Sequence, residues 1–332
     1  MNISMWREAL KRIPRVSKEQ WEQMDILGRW LIATRSAVLV MTFLSAAMAG
    51  LFAYFDEAFH LGRWLMLTWG LLMAHATNNL LNDYTDYVKG VDKQNYYRAK
   101  YGTHPLEQGF MSARRHLLYA VATGVLALIP GAWFVYIYGA PALWLTLAGL
   151  VFVLFYTYPL KYVGLGEFAV LLVWGPLMIG GGYFVITGTW SWTAVLLSLP
   201  YALSTTLVIF GKHIDKIKQD REKGIYTLPV LLGERQARNL AMVFMGLQYL
   251  LVLVIVLLRA LTPFVLLVFL AVPLLLSTVK IFNHPRPVEC PDNYDKDAWP
   301  LWFVAYAFRH NKRYGLFFML GLLAQALYQG FV

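Results

Sequence analysis

The sequence predicts an all-α protein, a polytopic membrane helix bundle of about nine transmembrane helices with cytoplasmic capping loops. Of the 332 residues, 58% are hydrophobic and only 14% are charged, whereas soluble domains are about half apolar and about a quarter charged. The apolar residues form long runs, and an α-helix needs about 17 to 25 such residues to cross a bilayer. Most charged residues lie between these runs. Length, composition and charge placement therefore indicate membrane helices joined by polar loops.

The basic composition does not by itself indicate a nucleic-acid partner. The net charge is +10, but the basic residues lie mainly between the apolar runs, where they act as topology signals. Cys290 is the single cysteine, which excludes an intrachain disulfide and a cysteine cluster for zinc or iron–sulfur. A glycine-rich phosphate loop, an H-E-x-x-H motif and a G-x-S-x-G motif are also absent, so no motif of the common soluble enzymes is present.

The N-terminal segment, residues 1–29, is polar, and its basic residues are interspersed with tryptophan, leucine and isoleucine. It has no short apolar core followed by a small-residue cleavage site, so a cleaved signal peptide is not expected. The pattern predicts a cytoplasmic amphipathic helix that lies on the membrane surface. A disordered tail explains the same composition equally well, and both alternatives stay open.

The rest of the chain, residues 30–332, is predicted to form a single transmembrane domain. Single prolines inside four of its apolar runs predict kinks, which membrane bundles tolerate. The segment 283–312 is rich in proline and tryptophan and is predicted to be a cytoplasmic loop with a surface helix, of unknown role. The predicted spans are 30–55, 62–82, 116–138, 141–158, 166–187, 194–212, 237–259, 262–282 and 313–331.

The distribution of lysine and arginine predicts the orientation of these spans. The N-terminal segment and the loops after the second, sixth and eighth spans each carry about six basic residues, Arg98 among them. The opposite side carries little beyond Arg63 and Arg259. Because basic loops stay in the cytoplasm, we expect an integral protein of the inner or plasma membrane with a cytoplasmic N-terminus.

The first acidic segment, residues 78–92, follows the second apolar run and reads NNLLNDYTDYVKGVD. Oxygen-bearing side chains at the end of a membrane helix are costly to bury and therefore indicate a function. Carboxylate and amide oxygens suit Mg²⁺, which binds substrate phosphates alongside one or two carboxylates. On a helix of about 100° per residue, four such side chains share one face: Asn79, Asn82, Asp83 and Asp86.

The second acidic segment, residues 211–230, follows the sixth apolar run and contains Asp215 and Asp220 among several lysines. Either acidic segment alone is explained by an ordinary charged loop beside the membrane. Both segments are predicted on the cytoplasmic side, at the ends of two membrane helices. Together they favour a cytoplasmic site for a metal-bound polyphosphate.

Two basic residues near these segments have two interpretations each. Lys161 is the sole basic residue of the short loop after the fourth span, beside Tyr158, and Arg35 lies a few residues inside the first span. Lys161 is either a topology charge or a contact to a diphosphate. Arg35 either extends to the interface or binds an anion.

The fifth predicted span carries four glycines between residues 175 and 182. Small residues allow membrane helices to approach closely, but they could equally leave room for a long apolar ligand. The sequence does not decide between these alternatives.

The residues from Asn82 to Asp92 resemble the first aspartate-rich motif of the UbiA superfamily of intramembrane prenyltransferases. Their spacing is closest to the branch typified by 1,4-dihydroxy-2-naphthoate prenyltransferase, and residues 220–233 are similar to that branch's second motif. The resemblance covers roughly residues 30–260. One departure concerns the second motif, whose aspartates are usually four residues apart in the family. Asp215 and Asp220 are five apart, and Lys216 occupies the expected acidic position; either the helix is irregular there or the two aspartates do not share a metal.

This resemblance implies transfer of an isoprenoid chain from an allylic, polyprenyl diphosphate to an aromatic acceptor such as 1,4-dihydroxy-2-naphthoate, in menaquinone-type or other quinone biosynthesis. It implies two Mg²⁺ ions, on which the two acidic segments converge, with the ligands Asn82, Asp83 and Asp86 on one side and Asp220 with Asp215 on the other. For Asp92 a loop-capping role is an equal alternative to a substrate contact. The implied catalytic residues are Asp83, Asp86, Asp220 and Lys161, and the implied substrate-binding residues are Arg35, Asn79, Asp92, Tyr158, Lys161 and Arg221.

Two other classes of function stay open at this stage. A UbiA-like terpene cyclase, or a transfer to a non-aromatic acceptor, would use the same diphosphate chemistry. A transporter also carries polar residues within its spans, although here the acidic residues cluster at one membrane face.

Overall fold

The computed structural model describes residues 3–331, apart from 94–96, 98, 99 and 101. Throughout this part of the chain the regular secondary structure is helical and no strand occurs. The all-α prediction is therefore confirmed. Arg98, one of the residues behind the orientation prediction, lies outside the described residues.

Within the described residues, 6 helices are long and apolar enough to cross a membrane. The other predicted spans also fall on helices, of 28, 16 and 29 residues. The longest two carry charged residues, and the third is short for a bilayer. Six spans are thus supported, and a total of nine stays a prediction. The six are Ser36–Phe55, Ala113–Tyr138, Gly166–Thr187, Trp192–Asp215, Glu234–Leu257 and Pro263–Phe282.

Two of these spans have largely apolar exposed surfaces. In Ala113–Tyr138 and Pro263–Phe282 only 22% of the residues in the most apolar window are buried by protein. An exposed apolar surface of this extent needs another apolar partner. Lipid supplies that partner for a membrane helix.

The chain divides into two compact units. The first comprises Met1–Phe43 and Thr68–Tyr158, and the second comprises Leu44–Leu67 and Pro159–Val332. The single domain predicted for residues 30–332 stays a prediction.

The N-terminal helices belong to the core of the first unit. Trp21 and Met24 are buried together with Leu31, Leu80 and other apolar side chains. The N-terminal segment contains helices whose apolar side chains pack against protein within this unit, and its placement on the membrane surface stays a prediction. The first unit contains α1 (Ile3–Lys11), α2 (Lys18–Glu22), α3 (Ile26–Ala33), α6 (Ala113–Tyr138) and α7 (Ala140–Phe155), together with the parts of α4 (Leu39–Phe55) and α5 (Leu61–Val88) that fall within its ranges.

The predicted span 30–55 is two helices rather than one. α3 ends at Ala33, and α4 begins at Leu39 after a short 3-10 turn. Between them Arg35 adopts a φ of 55°, in the left-handed region. A non-glycine residue is uncommon there, and such backbone strain is concentrated at functional sites. The strained turn therefore makes Arg35 a candidate functional residue.

The second unit is held together by the packing of one helix, α10 (Trp192–Asp215), against α13 (Glu234–Leu257) and α15 (Phe303–Phe331). Phe210, Met245, Phe282 and Phe303 are fully buried in this core. The helices of the second unit are α8 (Gly166–Leu172), a π-helical stretch (Val173–Gly180), α9 (Gly181–Thr187), α10 (Trp192–Asp215), α11 (Ile217–Glu222), α12 (Leu228–Leu232), α13 (Glu234–Leu257), a 3-10 stretch (Pro263–Ala271), α14 (Val272–Phe282) and α15 (Phe303–Phe331).

Gly175 lies in the π-helical stretch of the fifth predicted span, next to Pro176. A Cβ atom at this position would lie 2.8 Å from the Cβ of Ala202 in α10. The glycine therefore serves close helix approach at this position rather than room for a ligand.

α15 begins at Phe303, earlier than the start near residue 313 that the apolar pattern predicts. The irregular part of the predicted loop 283–312 accordingly ends at residue 302. The physical reason is a cap from a distant residue: the Asp215 carboxylate accepts hydrogen bonds from the backbone N–H groups of Phe303 and Val304, both at 3.0 Å. An anionic acceptor at a helix N-terminus satisfies donors that have no partner inside the helix.

We expect Gly211→Ala to destabilise the second unit. A Cβ at Gly211 would lie 2.8 Å from the backbone of Phe303 and Val304, so α15 would have to shift. Overpacking of this kind costs about 1–3 kcal/mol, which corresponds to a loss of roughly 5 °C in Tm. Thermal unfolding of the purified protein measures this change. Gly246→Ala is the control, because no atom lies within 4 Å of the added Cβ; an equal loss of stability in both variants would contradict the packing argument.

Candidate active site

The predicted site residues are distributed over both compact units. The first unit contains Arg35, Asn79, Asn82, Asp83, Asp86, Asp92 and Tyr158, and the second contains Lys161, Asp215, Asp220 and Arg221. The convergence of the two acidic segments on one ligand stays a prediction.

The first acidic segment forms the C-terminal part of α5, as the sequence predicts. Asn79, Asp83 and Asp86 are buried, with Asp83 only 1% exposed. A carboxylate at this burial needs compensating partners, because removing a charge from water is costly. One face of α5 thus carries two buried carboxylates and their amide neighbours.

Arg35 supplies the positive charge on this face of α5. Its Nη2 donates hydrogen bonds to the Asn79 carbonyl oxygen at 3.2 Å and to Asn79 Oδ1 at 3.1 Å. The same nitrogen lies 3.4 Å from Asn82 Oδ1 and 3.5 Å from Asp83 Oδ1. The left-handed turn before α4 therefore brings Arg35 to three of the predicted site residues.

The amide groups of the two asparagines are fixed from the opposite side. Asn79 Nδ2 donates to the Thr34 carbonyl oxygen at 2.8 Å, and Asn82 Nδ2 donates to Thr157 Oγ1 at 3.0 Å. Because each amide nitrogen has its own acceptor, each amide oxygen is directed toward the Arg35 guanidinium. Oxygen acceptors on this face are thus preorganised.

Asp92 and Tyr158 have contacts that the sequence did not reveal. Asp92 Oδ2 lies 2.9 Å from His104 Nε2, and both side chains are buried. Tyr158 is half exposed, and Lys89 Nζ lies 3.7 Å from the centroid of its ring. The contact with His104 is compatible with the loop-capping alternative for Asp92. Substrate contacts of Asp92 and Tyr158 stay predictions.

The second acidic segment is not one regular helix. α10 ends at Asp215, Lys216 has non-helical angles (φ −107°, ψ 6°), and α11 begins at Ile217. The irregularity that the five-residue spacing suggested is therefore present. Because of this break, Asp215 and Asp220 are not held on one continuous helix.

Asp215 and Asp220 have different partners. Asp215 caps α15, and its Oδ1 also lies 3.6 Å from Arg286 Nη1. Asp220 is buried and pairs with Lys216, whose Nζ lies 3.1 Å from Asp220 Oδ1. These contacts favour a structural role for Asp215 over its predicted role as a metal ligand.

Glu167 and His213 form a buried pair that the sequence reasoning missed. Glu167 Oε1 lies 2.5 Å from His213 Nδ1, and Glu167 Oε2 accepts a hydrogen bond from the backbone N–H of Leu228 at 3.3 Å. The available signal was a glutamate at the start of one apolar run and a histidine at the end of another. The pair connects α8, α10 and α12.

Lys161 and Arg221 lie in neighbouring parts of the second unit. Lys161 is buried, and its Nζ is 5.7 Å from the centroid of the Tyr162 ring. The Tyr162 carbonyl oxygen accepts a hydrogen bond from the backbone N–H of Tyr226 at 3.2 Å. Arg221 Nη2 donates to the Val230 carbonyl oxygen at 3.4 Å. The Lys161 loop therefore packs beside the second acidic segment.

The donor set for a divalent metal differs between the two segments. Among the described residues, no group of three or more His, Cys, Asp or Glu side chains is arranged to hold a metal alone. Mg²⁺ does not need one, since one or two carboxylates, water and substrate phosphates complete its coordination. Asp83 and Asp86 with Asn82 fit this requirement. At the second segment both Asp215 oxygens accept backbone hydrogen bonds, which leaves Asp220, paired with Lys216, and metal binding by Asp215 and Asp220 stays a prediction.

Solved structures with a similar fold include UbiA homologs from two archaea. The apo structure of a homolog from Aeropyrum pernix K1 superposes with a TM-score of 0.64 at 19% identity and covers 85% of this chain and 97% of that one. A homolog from Archaeoglobus fulgidus bound to GPP and Mg²⁺ gives a TM-score of 0.54 at 15% identity, covering 86% and 99% of the two chains. At these identities the likeness concerns the fold.

Two sequence relatives come from a bacterium and an insect. The 1,4-dihydroxy-2-naphthoate octaprenyltransferase of Bacillus subtilis (strain 168) is 27% identical over 268 residues, which is 78% of this chain and 84% of the relative. The UbiA prenyltransferase domain-containing protein 1 homolog of Drosophila melanogaster is 28% identical over 219 residues, which is 62% of this chain and 58% of the relative. The match thus spans less than two thirds of the insect protein. The family model described as "UbiA prenyltransferase family" matches residues 43–311, most of the chain, and the protein is therefore an integral membrane member of the UbiA prenyltransferase family.

Proposed function

We propose that the protein transfers an isoprenoid chain from an allylic diphosphate to an aromatic acceptor and depends on Mg²⁺ for this reaction. Family membership indicates prenyl transfer. The observation that supports a diphosphate substrate most directly is Arg35 on the carboxylate-bearing face of α5. A guanidinium among oxygen ligands provides both charges that a metal-bound diphosphate needs.

Arg35 has a donor that the fold leaves unused. Its Nε is buried and has no hydrogen-bond partner among the described residues. An unpaired buried donor is costly unless a ligand satisfies it. In the proposed function a diphosphate oxygen accepts this hydrogen bond, while Nη2 continues to hold the Asn79 and Asn82 oxygens.

The metal site is assigned to Asn82, Asp83 and Asp86. Mg²⁺ bound there supplies positive charge to the diphosphate while the allylic C–O bond breaks. Asp83 and Asp86 hold the ion, which balances their two negative charges, so the Arg35 guanidinium adds net positive charge for the diphosphate. Lys161 and Arg221 are proposed as further cationic contacts to the leaving diphosphate.

The proposed acceptor is 1,4-dihydroxy-2-naphthoate or a closely similar ring. This choice is supported by the names of the Bacillus subtilis and Escherichia coli relatives, 27% and 28% identical to this chain. The allylic carbon bonds to the ring carbon that carries the carboxylate, diphosphate leaves, and loss of CO₂ restores the aromatic ring. The product belongs to menaquinone-type biosynthesis. The basic loops support a cytoplasmic active site.

The purified protein in lipid nanodiscs tests this function directly. It is incubated with Mg²⁺, labelled geranylgeranyl diphosphate and 1,4-dihydroxy-2-naphthoate, and the products are identified by mass spectrometry. We expect a prenylated naphthoquinol and inorganic pyrophosphate, and no product in EDTA. A labelled hydrocarbon formed without acceptor would instead indicate a cyclase, and uptake by sealed vesicles without any prenylated product would indicate a transporter.

Asp83→Asn and Asp86→Asn are each expected to lower the rate of prenyl transfer by at least about 100-fold, because each removes a charged ligand at the developing diphosphate charge. The asparagine side chains preserve the size of the native residues. Asp292→Asn, at an exposed position, is the matched control and retains wild-type activity. Full activity in either α5 variant would exclude the metal assignment.

Arg35→Met is expected to lower kcat/KM for the diphosphate substrate by about 10- to 100-fold, because a buried charged donor is lost. Arg35→Lys restores the charge but not the planar donor arrangement, so an intermediate value is expected. The exposed Arg12 pairs with Glu8, and Arg12→Met serves as the control. If Arg35→Met alters thermal stability while kcat/KM stays unchanged, Arg35 does not bind substrate.

A further inference from the structure

The second acidic segment contains a buried ion pair at its helix break. Lys216 Nζ lies 3.1 Å from Asp220 Oδ1, and the two side chains are only 13% and 3% exposed. Exposed pairs of this kind contribute little and exchange readily with solvent. A buried pair has a fixed geometry because either charge left alone would be costly. The Lys216 ammonium is therefore held in place by Asp220.

Asp215, the other buried carboxylate of the segment, caps the N-terminus of α15. Each Asp215 oxygen accepts one backbone hydrogen bond at 3.0 Å from the start of α15, and Arg286 lies beside one of them. Turning Asp215 toward a metal would leave two buried N–H groups unpaired, which is costly. The segment thus has no pair of carboxylates that could share an ion.

The charges of residues 211–230 are consistent with the Lys216–Asp220 ion pair. Residues 211–230 include five basic side chains and three acidic ones. Two carboxylates with one Mg²⁺ carry no net charge, and one ammonium with one carboxylate carries none either. Lys216 and Asp220 therefore reach, without a metal ion, the same net charge as a metal-loaded carboxylate pair. The basic residues are Lys212, Lys216, Lys218, Arg221 and Lys223, and the acidic ones are Asp215, Asp220 and Glu222.

We infer that the second acidic segment binds no metal ion, because the Lys216 ammonium takes the place beside Asp220 that a metal ion would need. This inference rests on the proposed function and specifies its metal requirement, with one ion at the first acidic segment in place of two. The buried ion pair and the commitment of Asp215 to α15 carry the inference.

The test counts metal ions bound to the protein and does not depend on turnover. Protein in nanodiscs is saturated with geranyl diphosphate without acceptor, and bound Mn²⁺, a spectroscopic substitute for Mg²⁺, is counted by electron paramagnetic resonance. We expect one Mn²⁺ per chain in the wild type. Lys216→Asp creates a carboxylate pair with Asp220 and is expected to bind a second Mn²⁺. Lys218→Asp makes the same charge change at an exposed position and is expected to keep one.

The outcomes separate this inference from the proposed function. Two Mn²⁺ ions in the wild type, unchanged in Lys216→Asp, would overturn the inference and leave the proposed function intact. If the wild type bound neither geranyl diphosphate nor Mn²⁺, the proposed function would fail, and the inference with it.

Discussion

The neutralisation of buried charge at helix ends is the constraint on which the candidate site depends. Asp83 is almost fully buried at the end of α5, and an uncompensated carboxylate there would destabilise the fold. Arg35 lies in a left-handed turn between two helices and provides the compensating positive charge. The strained backbone is tolerated because it places a guanidinium among oxygen acceptors that other hydrogen bonds already hold in position.

The same constraint organises the second unit through three separate pairings. Asp215 is compensated by the N-terminus of α15, Asp220 by Lys216, and Glu167 by His213. Each pairing also fixes an element: the last helix, the break after α10, and the junction of α8 with α10 and α12. The side chains that compensate the buried charges therefore also fix the positions of the helices.

This arrangement has a chemical consequence for a phosphate-bearing substrate. An allylic diphosphate is polyanionic at one end and apolar at the other, so its binding site needs cations beside a membrane interior. At the first segment, the Arg35 guanidinium contacts two asparagine side chains and one carboxylate. In the proposed function, a bound metal and Arg35 share the diphosphate charge at this segment. A few charged groups are thus sufficient to bind a diphosphate, provided that each is oriented before the substrate arrives.

The sequence by itself determined the helical class, most helix positions and the acidic face of α5, because periodicity, hydropathy and residue spacing are local properties of the chain. The spacing of Asp215 and Asp220 offered an irregular helix as one of two alternatives, and the structure shows that irregularity. Only the tertiary structure decided what each charge contacts, since those partners are far apart in sequence: 44 residues separate Arg35 from Asn79, and 88 separate Asp215 from Phe303. The early start of α15 and the break at Arg35 followed from such contacts, so the apolar pattern misplaced both. Local sequence specifies which segments become helices, whereas the group that compensates a buried charge comes from a distant part of the chain.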